Sequence, residues 1–295
     1  MNTFVTTIDV ALGDKLKRDL YDQGFELSTP PYTIFSAKKK GVSCTLYLSG
    51  KLTVQGKQKE EFITFYLEPE ILKDLSFTHP QSQADLTPRI GIDEAGKGDF
   101  FGPLCIAGVF ADEAGIEKLA ELGVRDSKGM QDKVILTMAS KIRSQFPHKI
   151  IRLFPLKYNE LYEKFKNLNH LLAWGHASTI EELVQNTGCR KVIIDQFASE
   201  HVVENALKRK ALEVDLTQRH RGEQDLVVAA ASILARAAFV EGIDQLGKMI
   251  EMTLPKGASA LVIKAGKQVV SRHGQEILRK LCKLHFKTLS EVLND

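Results

Sequence analysis

The chain has 295 residues, with 40 Lys/Arg against 37 Asp/Glu for a formal net charge of +3, and 43% hydrophobic content. At about 100–200 residues per domain this length predicts two domains with sizeable cores, and 21 Gly with 9 Pro exclude collagen-like, low-complexity and disordered classes. No run approaches the ~18 uninterrupted apolar residues of a membrane span, and the dispersed Cys44, Cys105, Cys189 and Cys282 read as reduced thiols of a cytosolic protein, not as disulfides or a zinc site.

The N-terminus, MNTFVTTIDVALGDKLKRDL, lacks the positive start and apolar run of a secretory signal. Residues 1–86 hold 10 Lys/Arg and 11 Asp/Glu, yet Pro31 to Lys59 carries six lysines (Lys38, Lys39, Lys40, Lys51, Lys57, Lys59) and no acid. That stretch overlaps the alternating segments YTIFSA, VSCTLYLSG and KLTVQGK, with the turn KKKG between the first two. The pattern predicts a small antiparallel sheet with lysines at its turns and on one face. Such a sheet suits nucleic-acid phosphates; the plainer reading is a solvated loop cluster.

Residues 74–89, rich in Ser, Gln, Pro and Asp, form the best linker, dividing the chain into 1–86 and 87–295. An α/β pattern follows. RIGID (89–93), CIAGVFA (105–111), KIIRLFPL (149–156), KVIIDQF (191–197) and ALEVDLT (211–217) read as strands, and 131–145, 158–187, 200–210 and 225–242 as helices. The last helix is alanine-rich and apolar nearly all round, which predicts close packing between a sheet and other helices.

Two of these strands end in carboxylates: Asp93-Glu94 after one, Asp195 after another. In α/β folds strand ends border the active crevice. If the strands are neighbours, like charges converge and raise one another's pKa values, a conflict that an oxygen-loving cation such as Mg²⁺ or Mn²⁺ resolves. For any single Asp, a cap or turn role competes. Gly91 through Lys97 also fits the spacing G-x₄-G-K. A phosphate-cradling P-loop is rejected, because Gly98 replaces the Ser/Thr hydroxyl and the acids stand where phosphates belong. What remains is a glycine turn whose backbone can approach a ligand closely, with Lys97 available for a phosphate.

GIDEAGKGDFFGPL resembles the signature of type 2 ribonucleases H, and RDSKGM (125–130), VIIDQF (192–197) and VVAAASILAR (227–236) follow in the expected order. The resemblance covers roughly residues 88–287. Gly96-Lys97-Gly98, where HII enzymes carry Gly-Arg-Gly, and the extra N-terminal domain point to ribonuclease HIII. It implies a ribonuclease H-like mixed sheet flanked by helices, preceded by a small α+β domain similar to the TATA-binding protein that binds substrate. The implied activity is hydrolysis of the RNA strand of RNA/DNA hybrids, with Mg²⁺ or Mn²⁺, leaving 5′-phosphate and 3′-hydroxyl ends.

Carried over residue by residue, Asp93, Glu94 and Asp195 match the metal-binding carboxylates. The fourth acid falls in His220-Arg221-Gly222-Glu223-Gln224-Asp225. Gapless alignment puts Gly222 there, so Glu223 is chosen with a one-residue shift, and Asp225 is its competitor. Two cations about 4 Å apart activate water and stabilise the leaving oxygen. Lys97 and Lys128 are the phosphate candidates, and Gly96 and Gly98 bring main-chain groups to the ribose 2′-hydroxyl, recognition largely independent of base sequence.

Arg125-Asp126-Ser127-Lys128 reads equally as a helix-entry turn, and Asn169, His170 and His176 are left out of the site, since a lone His is more often structural. Lys248 to Lys287 holds nine Lys/Arg and two acids. It is a basic flank for phosphates, or, over ILRKLCKLHFKTL, an amphipathic helix with lysines facing water. A monomer is expected, cytoplasmic and without a membrane. Two alternatives stand beside hybrid cleavage. Incision at single ribonucleotides in duplex DNA is disfavoured because no tyrosine follows Tyr162. A non-catalytic hybrid binder is disfavoured because the acids are intact.

Overall fold

The computed structural model describes residues 3–72, 85–125, 127, 129–220 and 222–294. Most of the linker assigned to 74–89, and also Asp126 and Lys128, lie outside them. The chain divides into two compact units, Met1–Asp85 and Leu86–Asp295.

The first unit is a five-stranded antiparallel sheet built from β1 (Phe4–Thr7), β2 (Glu26–Ser28), β3 (Thr33–Lys39), β4 (Val42–Tyr47) and β5 (Lys51–Gln55), in the order β1-β5-β4-β3-β2. Alternation sets its faces. Phe35, Ala37, Cys44, Leu46, Leu52 and Val54 point inward against Leu16 and Leu20 of α1 (Gly13–Asp22), and against Ile63 and Leu67 of a helical run. That run starts as α2 (Lys59–Phe62) and widens to π-type turns over Ile63–Leu72. Each such buried aliphatic or aromatic side chain contributes about 1.5–3 kcal/mol. The other face carries the pairs Glu26–Lys38, Ser36–Thr45, Thr45–Thr53 and Thr7–Lys51. The three predicted strands are present. The edge strands β1 and β2, too short to show alternation, were not expected.

The second unit holds β6 (Arg89–Ala95), β7 (Leu104–Ala111), β8 (His148–Leu153), β9 (Lys191–Asp195) and β10 (Asp215–Arg219) in the order β10-β9-β6-β7-β8. β10, β9 and β6 run parallel, and β7 and β8 are antiparallel. One face packs on α5 (Pro155–Phe165), α6 (Leu168–Thr187) and α7 (Glu200–Arg209) through Ile90, Ile92, Ile106, Val192 and Ile194. The opposite face packs through Ala107 and Val109 on α3 (Glu113–Glu121), α4 (Asp132–Gln145) and α8 (Leu226–Met249). This is the mixed sheet flanked by helices that the resemblance implied.

Gly91 sets the depth of α8. A Cβ there would stand 2.4 Å from the main chain of Val227 and Val228, so only glycine lets the first turn of α8 lie on β6. By length and composition α8 is apolar enough to cross a membrane, because Arg236 and Glu241 are its only charges within a long apolar window. Most of that window is buried between the sheet and α4, which makes α8 the core helix.

Other expectations need correction. The single helix over 158–187 is two. Lys166 adopts a left-handed φ of 50° and Asn167 then caps α6, its Oδ1 accepting from the Asn169 N–H at 2.8 Å. KIIRLFPL stops being a strand at Leu153, because Pro155 opens α5. The continuous amphipathic helix over ILRKLCKLHFKTL breaks into α10 (Leu278–Leu281) and α11 (Thr288–Leu293), which follow α9 (Ala260–His273). Between them Lys283, expected in water, is fully buried.

Candidate active site

The parallel register pairs Ile92 with Ile194, so Asp93 and Asp195 come next on their strands. Alternation turns both towards α8, on the side marked by Gly91, and turns Glu94 towards α6. Asp93, Glu94, Asp195 and Glu223 line one open pocket with the Gly96–Gly98 turn, Ser127, Ser232 and Arg236.

Burial, with the neighbouring charges of Glu94 and Asp195, pushes the Asp93 carboxyl up to about 7, against hydrogen bonds from Ser232 and the Glu94 N–H that favour its ionised form. Glu94 N–H donates to Asp93 Oδ1 at 2.7 Å. Ser232 is itself held by Ser127, Oγ to Oγ 2.9 Å.

Asp195 Oδ1 accepts the Gly222 N–H at 2.9 Å. A Cβ on Gly222 would lie 2.8 Å from the Asp195 Cα, so that position cannot carry a side chain. The neighbouring Glu223, in the 3₁₀ turn Gly222–Gln224, presents its carboxylate to the pocket instead. Here is the physical reason for the one-residue shift. Asp225 serves elsewhere: its Oδ1 caps α8 by accepting from Val227 N (2.9 Å) and Val228 N (3.2 Å). Its Oδ2 pairs with Arg89 Nε at 2.8 Å, and both side chains are under 5% exposed.

Glu94 is gripped from two sides. His176 Nε2 of α6, fully buried, lies 3.1 Å from Oε2, and Lys97 Nζ lies 3.7 Å from Oε1. Lys97, expected to serve a phosphate, is 37% exposed and also hangs over the Phe197 ring at 5.5 Å.

The two glycines of the turn differ. Gly96 has φ +86° and no room for a Cβ, which would meet the Pro103 carbonyl at 2.2 Å, whereas a Cβ on Gly98 would meet nothing within 4 Å. Behind the turn, Lys283 Nζ donates to the carbonyls of Asp99 (2.8 Å) and Gly102 (2.7 Å), and Asp99 Oδ1 accepts the Gly257 N–H at 2.6 Å. Lys128 lies outside the described residues. Its flanks are tied to α8 through Arg236, which donates to the carbonyls of Ser127 and Met130.

Among the described residues, no three acidic, His or Cys side chains are drawn tightly around one point. The four carboxylates are spaced along one pocket wall, with Asp93, Glu94 and Asp195 each held by a hydrogen bond. The donor set is all oxygen, and besides burial the charges of Glu94 and Asp195 raise the proton affinity of Asp93. Both properties suit a hard divalent cation. Sequence reasoning missed His176 and Lys283. Ser232 and Arg236 stood inside the motif VVAAASILAR without an assigned part.

Comparisons with known proteins agree with this geometry. The ribonuclease HII family model matches residues 90–289, and a domain of unknown function (DUF3378) matches residues 3–76. Ribonuclease HIII of Protochlamydia amoebophila (strain UWE25) is 60% identical over 98% of this chain and 96% of its own length. That of Chlamydia felis (strain Fe/C-56) is 52% identical over 98% and 97%. The crystal structure of Bst-RNase HIII in complex with Mn²⁺ superposes with a TM-score of 0.69 at 30% identity, covering 99% of this chain and 98% of that one. With both units matched along almost their whole length, this chain belongs to the ribonuclease HIII family.

Proposed function

We propose that the acidic pocket cuts the RNA strand of an RNA/DNA hybrid, leaving 5′-phosphate and 3′-hydroxyl ends, with Asp93, Glu94, Asp195 and Glu223 holding Mg²⁺ or Mn²⁺. As a member of its family the chain is a metal-dependent ribonuclease H, and the related Bst-RNase HIII has been crystallised with Mn²⁺. The observation that carries the residue assignment is that three carboxylates at the ends of two adjacent parallel strands line one pocket with a fourth, Glu223, from a 3₁₀ turn. Bound there, divalent cations supply an activated water and stabilisation of the leaving oxygen.

The chain's own residues do the rest. Asp93, the most central acid, is aimed by Ser232 and the Glu94 N–H, and Asp195 by the Gly222 N–H. Glu223 positions the water or the second cation. The uncrowded Gly98 leaves main-chain groups of the Gly96–Gly98 turn accessible to the ribose 2′-hydroxyl, the group that separates RNA from DNA. Lys97, flexible and part-exposed at the rim, and Lys128 meet phosphates.

The first unit, assigned to residues 1–86, binds substrate. The sheet face opposite its core carries the Thr45 and Thr53 hydroxyls with Lys38 and Lys51, groups suited to backbone contacts with no base reading. The same reading takes the protein as a cytoplasmic monomer, consistent with four unpaired cysteine thiols.

End-labelled RNA/DNA hybrid incubated with Mg²⁺, Mn²⁺ or chelator tests the proposal. Metal-dependent cuts confined to the RNA strand are expected, and cuts surviving chelator would refute it. A Lys38→Glu/Lys51→Glu protein should raise KM for hybrid several-fold and leave kcat unchanged. An unaltered KM would remove the first unit from substrate binding.

A further inference from the structure

Of the three strand-end carboxylates, Glu94 alone points to the α6 side of the sheet, away from the turn and helix that steady Asp93 and Asp195. Its support comes from a helix that sequence gave no reason to connect with the site. α6 reaches it because two close approaches lack side chains: a Cβ on Gly175 would stand 2.7 Å from Ile106 Cδ1, and a Cβ on Gly108 of β7 would stand 2.7 Å from Thr179 Cγ2. This intimacy places His176, fully buried, with Nε2 at 3.1 Å from Glu94 Oε2. The ring cannot swing away, because the Phe197 ring packs on it at a centroid distance of 4.6 Å. Phe197 itself follows Asp195 by two residues, so one aromatic contact joins the supports of two pocket acids.

The chemistry of the pair sets the proton. A carboxylate only accepts, so Nε2 carries the hydrogen and donates it. Among the described residues the buried Nδ1 has no hydrogen-bond partner, so Nε2 makes the ring's one hydrogen bond. Donating from Nε2, the imidazole fixes Oε2 and leaves Oε1 turned to the pocket rim, 3.7 Å from Lys97 Nζ.

From this geometry we infer that His176 is a positioning residue of the active site: it orients the Glu94 carboxylate for the divalent cation without touching substrate or cation itself. The inference rests on the reading of Glu94 as a cation ligand. Outer partners of this kind typically govern metal affinity by 10–100-fold, because a ligand that must be ordered on binding loses part of its affinity to that ordering.

The test uses the full chain, with Mn²⁺ binding followed by isothermal titration calorimetry and hybrid cleavage measured across Mn²⁺ concentrations. His176→Leu keeps the volume and removes the donor; His176→Gln restores an amide N–H near the Nε2 position. His176→Leu should bind Mn²⁺ at least tenfold more weakly and need correspondingly more Mn²⁺ for half-maximal cleavage, with KM for hybrid unchanged. His176→Gln should stay within about threefold of the parent protein. Equal losses in both variants, or no loss in His176→Leu, would overturn the inference. Glu94→Gln in the same titration separates the two levels. If it leaves Mn²⁺ affinity unaltered, the reading of Glu94 as a ligand fails; if it weakens binding while His176→Leu does not, only the positioning role fails. Should His176→Leu not fold, ¹⁵N NMR of the parent protein still decides, since Nε2 protonation is expected for His176 and an Nδ1–H tautomer would refute the donor.

Discussion

Asp93 at the mouth of β6 and Lys283 behind the glycine turn are both pushed by burial towards their neutral forms, yet the hydrogen-bond partners and charges around them differ. Lys283 is sealed in with what it needs. Two carbonyls accept from its ammonium and the Tyr158 ring lies 5.6 Å away, so its charge locks the loop after the turn. Asp93 is buried beside charges of its own sign. The described cations of the same pocket are engaged elsewhere, Lys97 with Glu94 and Arg236 with the carbonyls of Ser127 and Met130, so a cation from solution relieves the conflict at Asp93. A buried charge completed by its own fold is architecture, and one left incomplete marks where a ligand goes.

Removing the incomplete charge should have the largest effect. Asp93→Asn is expected to lower kcat on hybrid by about a thousandfold or more while making the metal-free protein more resistant to urea at pH 8. The sign follows from linkage. The folded-state pKa of about 7 lies above the ordinary aspartate value of 3.8, so the folded chain holds the extra proton between those values. Metal-free stability therefore falls as pH rises across that window and stays low above it, a decline that Asp93→Asn should lack. Denaturation curves in chelator at several pH values check this, and an active Asp93→Asn protein would end the assignment.

Next comes the pair that sequence left open. Glu223→Gln should cost about a hundredfold in kcat with the fold intact. Asp225→Asn should keep its metal response but lose about 3 kcal/mol of stability, because Arg89 is left buried beside a neutral partner. Reversed outcomes would exchange the two assignments.

The smallest effect is on the completed charge. Lys283→Met should destabilise by about 2 kcal/mol at neutral pH, since two buried carbonyls lose their donor. Burial lowers the Lys283 pKa from 10.5 to about 8. Below pH 8 folded and unfolded chains are both protonated and the contribution is flat. Between about 8 and 10.5 the unfolded chain holds the additional proton, so the stability difference between parent and Lys283→Met should widen with pH, by up to about 3 kcal/mol. A difference independent of pH would place the ammonium in water.

The same contrast explains what was legible beforehand. Strands ending in Asp93-Glu94 and Asp195 were readable because a short apolar run closed by an acid is a local signal, and four motifs in order identified the fold family. Glu223 against Asp225 was undecidable along the chain, since only the packing of Gly222 on Asp195 and the distant Arg89 separates a pocket acid from a cap. Lys283 read as solvent-facing because its acceptors, Asp99 and Gly102, are far away in sequence. His176 carried no signal: one histidine in a helix is indistinguishable from a core residue until β6 is laid against it. The break at Lys166 was hidden because a left-handed lysine has no compositional mark.

Interleaving β6 between β7, which follows it at once, and β9, which comes much later, also sets a schedule. During synthesis Asp93 and Glu94 emerge early, but Asp195, Glu223 and the helix that seats against Gly91 emerge about a hundred residues or more later. A polypeptide cut short before β9 carries half the acids, and one cut short before α8 carries all four without the Ser232 and Arg236 that line their pocket. α8 thus completes the acidic pocket, and a chain truncated before it is expected to lack an assembled site.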